Sequence, residues 1–250
     1  MMFNEVPFLE RFSAAAECGF QAVEFLFPYE FPPEAIAEKL AQSRLENVLF
    51  NMPPGDLTAG ERGMACIPGR EEEFRAGVDK ALTYAERLGT RRLHAMAGIA
   101  PAGADRSLLK ATFAGNLRYA AEKLAPRGIT LLIEPINTRD IPGYFLNRQA
   151  ESHALCTEIG APNLKMQMDL YHMQIVEGDL AMKLRQYAAH CGHIQIAGPP
   201  ERHEPDSGEV NYEYLFGVLD EIGYQGWIGC EYRPAGKTVN GLGWFQRRRS

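Results

Sequence analysis

Short apolar runs rich in β-branched residues alternate with helix-forming segments along almost the whole chain, and this alternation limits the fold more than any other feature. Seven runs predict strands: "AVEFL" (22–26), "NVLFN" (47–51), "RLHAMAG" (92–98), "TLLIEP" (130–135), "LKMQMDL" (164–170), "HIQIAG" (193–198) and "WIGCEY" (227–232). Helices are predicted near 6–18, 33–43, 71–89, 107–126, 148–159, 179–190 and 211–222. Because parallel strands need crossover connections, this repeat predicts a parallel α/β sheet.

A parallel sheet of this kind is either open and doubly wound or closed into a barrel. No Gly-x-Gly-x-x-Gly motif follows any predicted strand, so the usual signature of a dinucleotide-binding open sheet is missing. We therefore predict a single (β/α)8 TIM barrel over residues 1–250. The repeat begins with a helix, and "MMFNE" is too short for a strand, so the first strand of the barrel is expected to be missing from this sequence.

Composition restricts the partners of such a barrel. The 32 acidic residues exceed the 26 basic ones, and the net charge of -6 disfavours nucleic acid. The 5 cysteines are scattered without a CxxC pair, which favours reduced thiols and a cytoplasmic protein. The sequence shows neither an N-terminal signal peptide nor an apolar run long enough to span a membrane, so no membrane partner is expected. The terminal "RRRS" is interpreted as a frayed tail, and a homo-oligomer is left open.

Polar side chains end four of the predicted strands: Glu134, Asp169, Gln195 and Glu231. In a parallel barrel these ends meet at one rim, so residues far apart in sequence lie close together. One strand-end glutamate is commonly an ion-pair partner or a cap, but four on separate strands favour a site. Three carboxylates in apolar surroundings repel one another, and a divalent cation would stabilise them. Oxygen ligands suit Mg²⁺ or Mn²⁺, with the Gln195 amide as a neutral fourth ligand.

Several long motifs carry a resemblance: "CGFQAVEFLFPY", "AGERGMACIPGREEEF", "LLIEPIN", "MQMDLYHMQ", "HIQIAGPPERHEPDSGEVNYEYLF" and "GYQGWIGCEY". Together they resemble the hydroxypyruvate isomerase family, which lies within the xylose isomerase-like TIM-barrel superfamily and includes 2-oxo-tetronate isomerases. The resemblance implies that Glu134, Asp169, Gln195 and Glu231 bind the metal. It also implies that Glu134 and Glu231 transfer protons. Family members begin with a strand upstream of "MMFNEVPFLERF", which agrees with the missing first strand.

The reaction implied by the resemblance is the isomerisation of a short oxo acid. Hydroxypyruvate would become 2-hydroxy-3-oxopropanoate through an enediolate, and a 2-oxo-tetronate is the alternative substrate. A metal phosphodiesterase similar to endonuclease IV is a candidate from another class, but it would need a histidine-rich rim and a basic surface. A sugar-acid binding protein without catalysis is a third candidate, and the intact glutamates argue against it.

Further residues are candidates for roles around this centre. His172 is expected to hydrogen-bond a substrate oxygen, with a core histidine as the alternative. Arg202 follows the Gln195 strand, and its planar guanidinium suits a substrate carboxylate. Glu24 is expected in a supporting buried network, and the histidines His94 and His193 are expected to orient or pack.

A long loop over 52–70 supplies competitors for the carboxylate-binding role. Its Arg62 and Arg70 compete with Arg202, and a solvated surface arginine is the alternative for each. The loop is rich in glycine and proline and follows a predicted strand, so a barrel would place it on the face that carries active sites. A solvated excursion is the other interpretation.

Overall fold

The computed structural model describes residues 1–249, and within them the strands form a single parallel sheet. The strands pair in chain order, each with the next. They are β1 (Ala22–Phe25), β2 (Glu46–Asn51), β3 (Arg92–His94), β4 (Thr130–Ile133), β5 (Leu164–Asp169), β6 (Cys191–Ile196) and β7 (Ile228–Cys230). All seven predicted strands are present, and β3 is shorter than the predicted 92–98.

Helices connect the strands as expected for a barrel of this type. They are α1 (Arg11–Glu17), α2 (Pro33–Ser43), α3 (Glu71–Leu88), α4 (Arg106–Leu124), α5 (Gln149–Ile159), α6 (Leu170–Val176), α7 (Leu180–Tyr187), α8 (Tyr212–Glu221) and α9 (Gly243–Arg249). Short 3-10 turns lie at Phe8–Glu10, Ala125–Arg127, Ala188–His190 and Thr238–Gly241. Over residues 1–249, none of the helices combines the length and the apolarity needed to cross a bilayer.

Two helices differ from the sequence interpretation. α6 starts directly after β5, because the Asp169 carboxylate accepts the Tyr171 N–H at 2.8 Å and caps the helix. The basic C-terminal run is not a frayed tail: α9 continues through Arg249, and Arg247 contacts Asp206 at 2.9 Å. Ser250 lies outside the described residues.

The helix boundaries follow from simple chemistry. Three glutamates open α3, where the partial positive charge of the helix N-terminus favours anions. α3 ends at Gly89, whose φ of 70° is the left-handed conformation that a glycine cap adopts readily. The Asp105 side chain caps α4 by accepting the Ser107 N–H at 2.8 Å.

The sheet is open at one place among the described residues: β1 and β7 are its two ends, and they are not hydrogen-bonded to each other. An apolar cavity of about 960 Å³ lies there and is lined by both strands and by Met1, Met2, Phe3 and Asn4. These four residues form no strand. The structure therefore has the expected TIM-barrel architecture, with seven strands in place of eight over residues 1–249.

Candidate active site

The four strand-end residues do converge at the carboxyl ends of the strands. Asp169 and Gln195 are paired neighbours on β5 and β6, and they are 0% and 3% exposed. Glu134 follows β4 directly and is 4% exposed. Glu231 follows β7, and its side chain keeps 14% exposure. The inward direction follows from the two-residue period of strands, since Gln167 and Asp169 on β5 point the same way, as do His193 and Gln195 on β6.

A chain of amide hydrogen bonds joins these residues. The Gln167 Nε2 donates to Glu134 Oε2 at 3.0 Å and to Gln195 Oε1 at 2.5 Å. At its other end Gln195 donates from Nε2 to Glu24 Oε1 at 2.8 Å, and the second oxygen of Glu24 lies 2.6 Å from His193 Nε2. Glu24 and His193 thus lie in one network beside the site, in which His193 is fully buried and the Glu24 side chain keeps 16% exposure. This network fixes the Gln195 oxygen on the side of the carboxylates.

Sequence reasoning missed Gln167, although a signal for it was present. It stands two residues before Asp169 on a strand with a two-residue period, so both side chains had to share the inward face. Asn51 was missed in the same way: it ends β2 just as Asp169 ends β5.

Arg202 lies among the carboxylates. Its Nη2 is 3.3 Å from Asp169 Oδ2 and 3.3 Å from Glu231 Oε2, and its Nη1 is 3.6 Å from Asp140 Oδ2. The guanidinium also lies over the Tyr171 ring, 4.8 Å from its centroid. One buried cation is therefore shared by several acids.

The loop arginines have other partners. Arg70 is held by Glu61 at 2.5 Å and by Glu73 at 2.7 Å. Arg62 donates to the carbonyl oxygens of Leu57 at 3.4 Å and Glu61 at 2.6 Å. Within the described residues, Arg202 is therefore the candidate arginine that contacts the strand-end carboxylates, and Arg62 and Arg70 contact other groups.

The loop itself is partly built into the barrel. Met64, Ala65 and Cys66 are buried, and Gly63 forms a bridge with Ala97 beyond the end of β3. The interpretation of the loop as a wholly solvated excursion is therefore wrong for this part of it.

Burial dominates the electrostatics of the acids. It raises the pKa of Asp169 to about 7, against the opposing effect of the Arg202 charge and with a further increase from Glu231. Burial, together with the charges of Glu231 and Asp169, holds the pKa of Glu134 well above its usual range. Burial also raises the pKa of Glu231. The fully ionised set is therefore costly without a further cation.

Two buried histidines face this set. The His172 Nε2 lies 3.5 Å from Asp169 Oδ2 and 3.7 Å from Glu134 Oε1. Burial and then the charge of Arg202 lower the pKa of this imidazole well below its ordinary value. The His94 Nδ1 lies 3.2 Å from Asn51 Oδ1, and burial lowers the pKa of His94 to about 3. Both rings are therefore neutral at physiological pH.

The donor set fits a divalent metal. Glu134 Oε1 is buried and has no hydrogen-bond partner, although a carboxylate oxygen normally accepts at least one hydrogen bond. Glu134, Asp169 and His172 each offer a ligand atom within 4.8 Å of the others. Carboxylate and amide oxygens on separate strands match the preferences of Mg²⁺ and Mn²⁺.

Comparison with known proteins decides the family. The model of the xylose isomerase-like TIM barrel matches residues 12–248. The chain belongs to this family. A 2-oxo-tetronate isomerase from Cupriavidus necator is 59% identical over 246 residues, which cover 98% of this chain and 95% of that protein. A hydroxypyruvate isomerase from Escherichia coli is 50% identical over 245 residues, with coverages of 98% and 95%. The expected enzyme class, an isomerase of the intramolecular oxidoreductase type, is confirmed for this member of the xylose isomerase-like family.

Solved structures agree on the architecture. A Brucella melitensis protein described as an AP endonuclease of family 2 superposes with a TM-score of 0.98 at 58% identity, covering 100% of this chain and 96% of that one. A 3-keto-D-glucoside 4-epimerase from Escherichia coli superposes with a TM-score of 0.79 at 21% identity, covering 96% and 94%. The second likeness shows the fold alone. Both have the same barrel fold as this chain.

Proposed function

We propose that this isomerase acts on a short 2-oxo acid bearing a neighbouring hydroxyl group, with hydroxypyruvate as its substrate and Mg²⁺ or Mn²⁺ as its cofactor. The observation that carries the proposal is the convergence of Glu134, Asp169, Gln195 and Glu231 around a buried glutamate oxygen that has no partner. The two glutamates come from β4 and β7, so they approach the shared rim from different strands.

Glu134, Asp169, Gln195 and Glu231 would hold the cation, which when bound supplies positive charge to stabilise oxygen anions of the substrate. The protein groups perform the proton transfers. One glutamate removes a proton from the hydroxyl-bearing carbon, and the electron pair forms the enediolate double bond. The other glutamate returns a proton to the former carbonyl carbon, and the hydroxyl proton passes to the former carbonyl oxygen.

Arg202 is proposed to receive the substrate carboxylate. Arg202 is 9% exposed, so the pair it formed would be shielded from water. Its present contacts with Asp169 and Glu231 are long, at 3.3 Å, which leaves donor capacity for a new anion. A metal held by the same carboxylates would take over their neutralisation and release Arg202 for the substrate.

A 2-oxo-tetronate is the second candidate substrate. The specific support for it is the relative from Cupriavidus necator, whose 59% identity exceeds the 50% of the hydroxypyruvate isomerase. The two acids share the 2-oxo carboxylate that Arg202 would bind, and they differ in length beyond the reacting carbons.

The endonuclease alternative has less support. The Brucella melitensis structure carries that description, but the site here is built mainly from carboxylates and amides, and the net charge of -6 disfavours DNA. A sugar-acid binding protein that has lost catalysis would not need two glutamates facing one site.

The test is a rate measurement with each acid in turn. Purified protein is stripped with EDTA and assayed with hydroxypyruvate and with 2-oxo-tetronates, before and after addition of Mn²⁺ or Mg²⁺. We expect one acid to be isomerised with a clearly higher kcat/KM, and activity only after metal is restored. Full activity in metal-stripped protein, or no turnover of either acid, would contradict the proposal.

A further inference from the structure

Asn137 lies in the loop after β4, is fully buried, and has an amide whose orientation can be assigned. Its Oδ1 accepts the backbone N–H of Asp140 at 2.7 Å. If the amide were rotated by 180°, its NH2 group would face the backbone N–H of Asp140, and two donors would meet. The Asp140 N–H therefore shows which atom of the Asn137 amide is the oxygen. The Nδ2 of Asn137 must then face the other way, where it lies 2.6 Å from His172 Nδ1.

The same imidazole nitrogen receives a second donor. The backbone N–H of Asn137 points at His172 Nδ1 from 3.5 Å. A nitrogen faced by two N–H donors must offer its lone pair, so Nδ1 carries no proton. In a neutral imidazole the proton then sits on Nε2, because the tautomer is set by the partner of the other nitrogen.

The protonated Nε2 points into the candidate active site, 3.5 Å from Asp169 Oδ2 and 3.7 Å from Glu134 Oε1. These distances are longer than a formed hydrogen bond, so the donor is available there. Spacing alone would make His172 a metal ligand beside the two acids. A nitrogen that holds a proton has no lone pair for a metal.

We propose that Asn137 is a positioning residue that keeps His172 in the Nε2–H tautomer, so that His172 donates a hydrogen bond into the site and stays out of the metal coordination. The tautomer itself follows from the protein geometry alone. Only the identity of the acceptor, an oxygen of the oxo-acid substrate, rests on the proposed function. An Nε2–H donor at that oxygen would stabilise negative charge that develops on it.

The direct readout is the nitrogen NMR spectrum of the full-length protein. Histidine labelled with ¹⁵N gives long-range ¹H–¹⁵N correlations that distinguish protonated from unprotonated ring nitrogens, and the His172 signals are assigned by their loss in His172→Gln. We expect a protonated Nε2 and a bare Nδ1, both in metal-free protein and with Mg²⁺ added. A protonated Nδ1 in the metal-free protein, or loss of the Nε2 proton on adding Mg²⁺, would overturn the proposal.

A substitution then tests the role of Asn137. Asn137→Asp replaces a donor by an acceptor, so His172 should gain a proton on Nδ1. Asn147→Asp is the matched control: it lies in the same loop and donates to Ile136 O at 2.9 Å, not to His172. The control should leave the His172 spectrum unchanged. An unchanged spectrum in folded Asn137→Asp would show that another group sets the tautomer.

Activity separates this inference from the proposed function. If the oxo acid is the substrate, Asn137→Asp should lower kcat by about 10-fold or more, in line with the loss of one hydrogen bond to developing charge. A shifted tautomer with unchanged kcat would overturn the positioning role while leaving the isomerase proposal intact. The expected spectra without turnover of either oxo acid would contradict the proposed function while leaving the tautomer assignment in place.

Discussion

At the scale of single residues, the site is a balance of buried charges. Among the described residues, Arg202 is the positively charged side chain in contact with Asp169 and Glu231, and its Nη2 lies 3.3 Å from a carboxylate oxygen of each. Glu134 contributes another buried carboxyl with a raised pKa. One guanidinium cannot neutralise three ionised acids, so the metal-free protein holds protons that an unfolded chain would release.

This balance predicts how stability depends on pH. Asp169 has a folded-state pKa of about 7 against an ordinary value of 3.8, so near pH 6.5 the folded protein binds a proton that the unfolded chain does not. Stability is therefore lost as pH rises through the folded pKa. We expect the Tm of metal-free protein to fall between pH 6.5 and pH 8 in thermal melts. Below about pH 6.5 the buried neutral histidines act in the opposite direction, so the window stays above it.

Two comparisons test whether Asp169 causes this dependence of Tm on pH. Asp169→Asn retains the cap on α6 but removes the titrating group, so its Tm should depend less on pH. Saturating Mg²⁺ should raise Tm more at pH 8 than at pH 6.5, because the proposed metal would bind the ionised carboxylates. A metal-free Tm that is constant or rises over this window would show that the carboxyls are ionised in the folded protein.

At the scale of elements, the site depends on the close approach of β1 and β7 across the open side of the sheet. A Cβ added to Gly229 on β7 would overlap both carboxylate oxygens of Glu24 on β1. Glu24 in turn holds the amide of Gln195 at 2.8 Å. The glycine is therefore needed for the carboxylate that orients a proposed ligand.

Gly229→Ala should thus weaken metal binding without touching a ligand. Loss of an outer hydrogen-bond partner typically costs about 10–100-fold in metal affinity, and calorimetry with Mn²⁺ would measure the change. Gly217→Ala is the matched control. Gly217 lies on the helix α8, and a Cβ added there would meet no atom within 4 Å. Equal Mn²⁺ affinity in Gly229→Ala and wild type would mean that Glu24 does not orient Gln195.

The elements themselves were largely predictable. Every strand was marked by an apolar run with glycine or charged residues at its ends. The strands of a parallel sheet are buried on both faces, so their sequences are apolar throughout. α6 was not predicted, since no loop separates it from β5 and its cap, Asp169, is also the last residue of that strand. The short β3 differs for a physical reason too: beyond His94 the chain turns to pair with the loop at Gly63.

At the scale of the whole molecule, the barrel explains why residues scattered over the chain could be grouped from sequence. Parallel strands bring their carboxyl ends to one rim, so polar residues at the strand ends were enough to nominate Glu134, Asp169, Gln195 and Glu231. The orientation of amides was out of reach, because it depends on partners far away in sequence. Gln195, for example, is held by Glu24, 171 positions earlier.

Proton exchange on hydroxypyruvate in deuterated water, followed by NMR, tests the proposed roles of Glu134 and Glu231 most directly. Glu134→Gln and Glu231→Gln are compared with wild type and with Glu177→Gln, a mostly buried glutamate that contacts Lys183 at 2.8 Å. Mn²⁺ or Mg²⁺ occupancy is checked by calorimetry before each assay. Removing a general base typically costs about 10²–10⁴-fold in rate.

Both site variants should stay folded and lose isomerisation by about that factor, while Glu177→Gln should keep it. Since the proposed mechanism places Glu134 and Glu231 at different carbons, one variant should still exchange the substrate C–H with deuterium without forming product. Isomerisation by both variants at near wild-type rates would show that neither glutamate transfers a proton to or from the substrate.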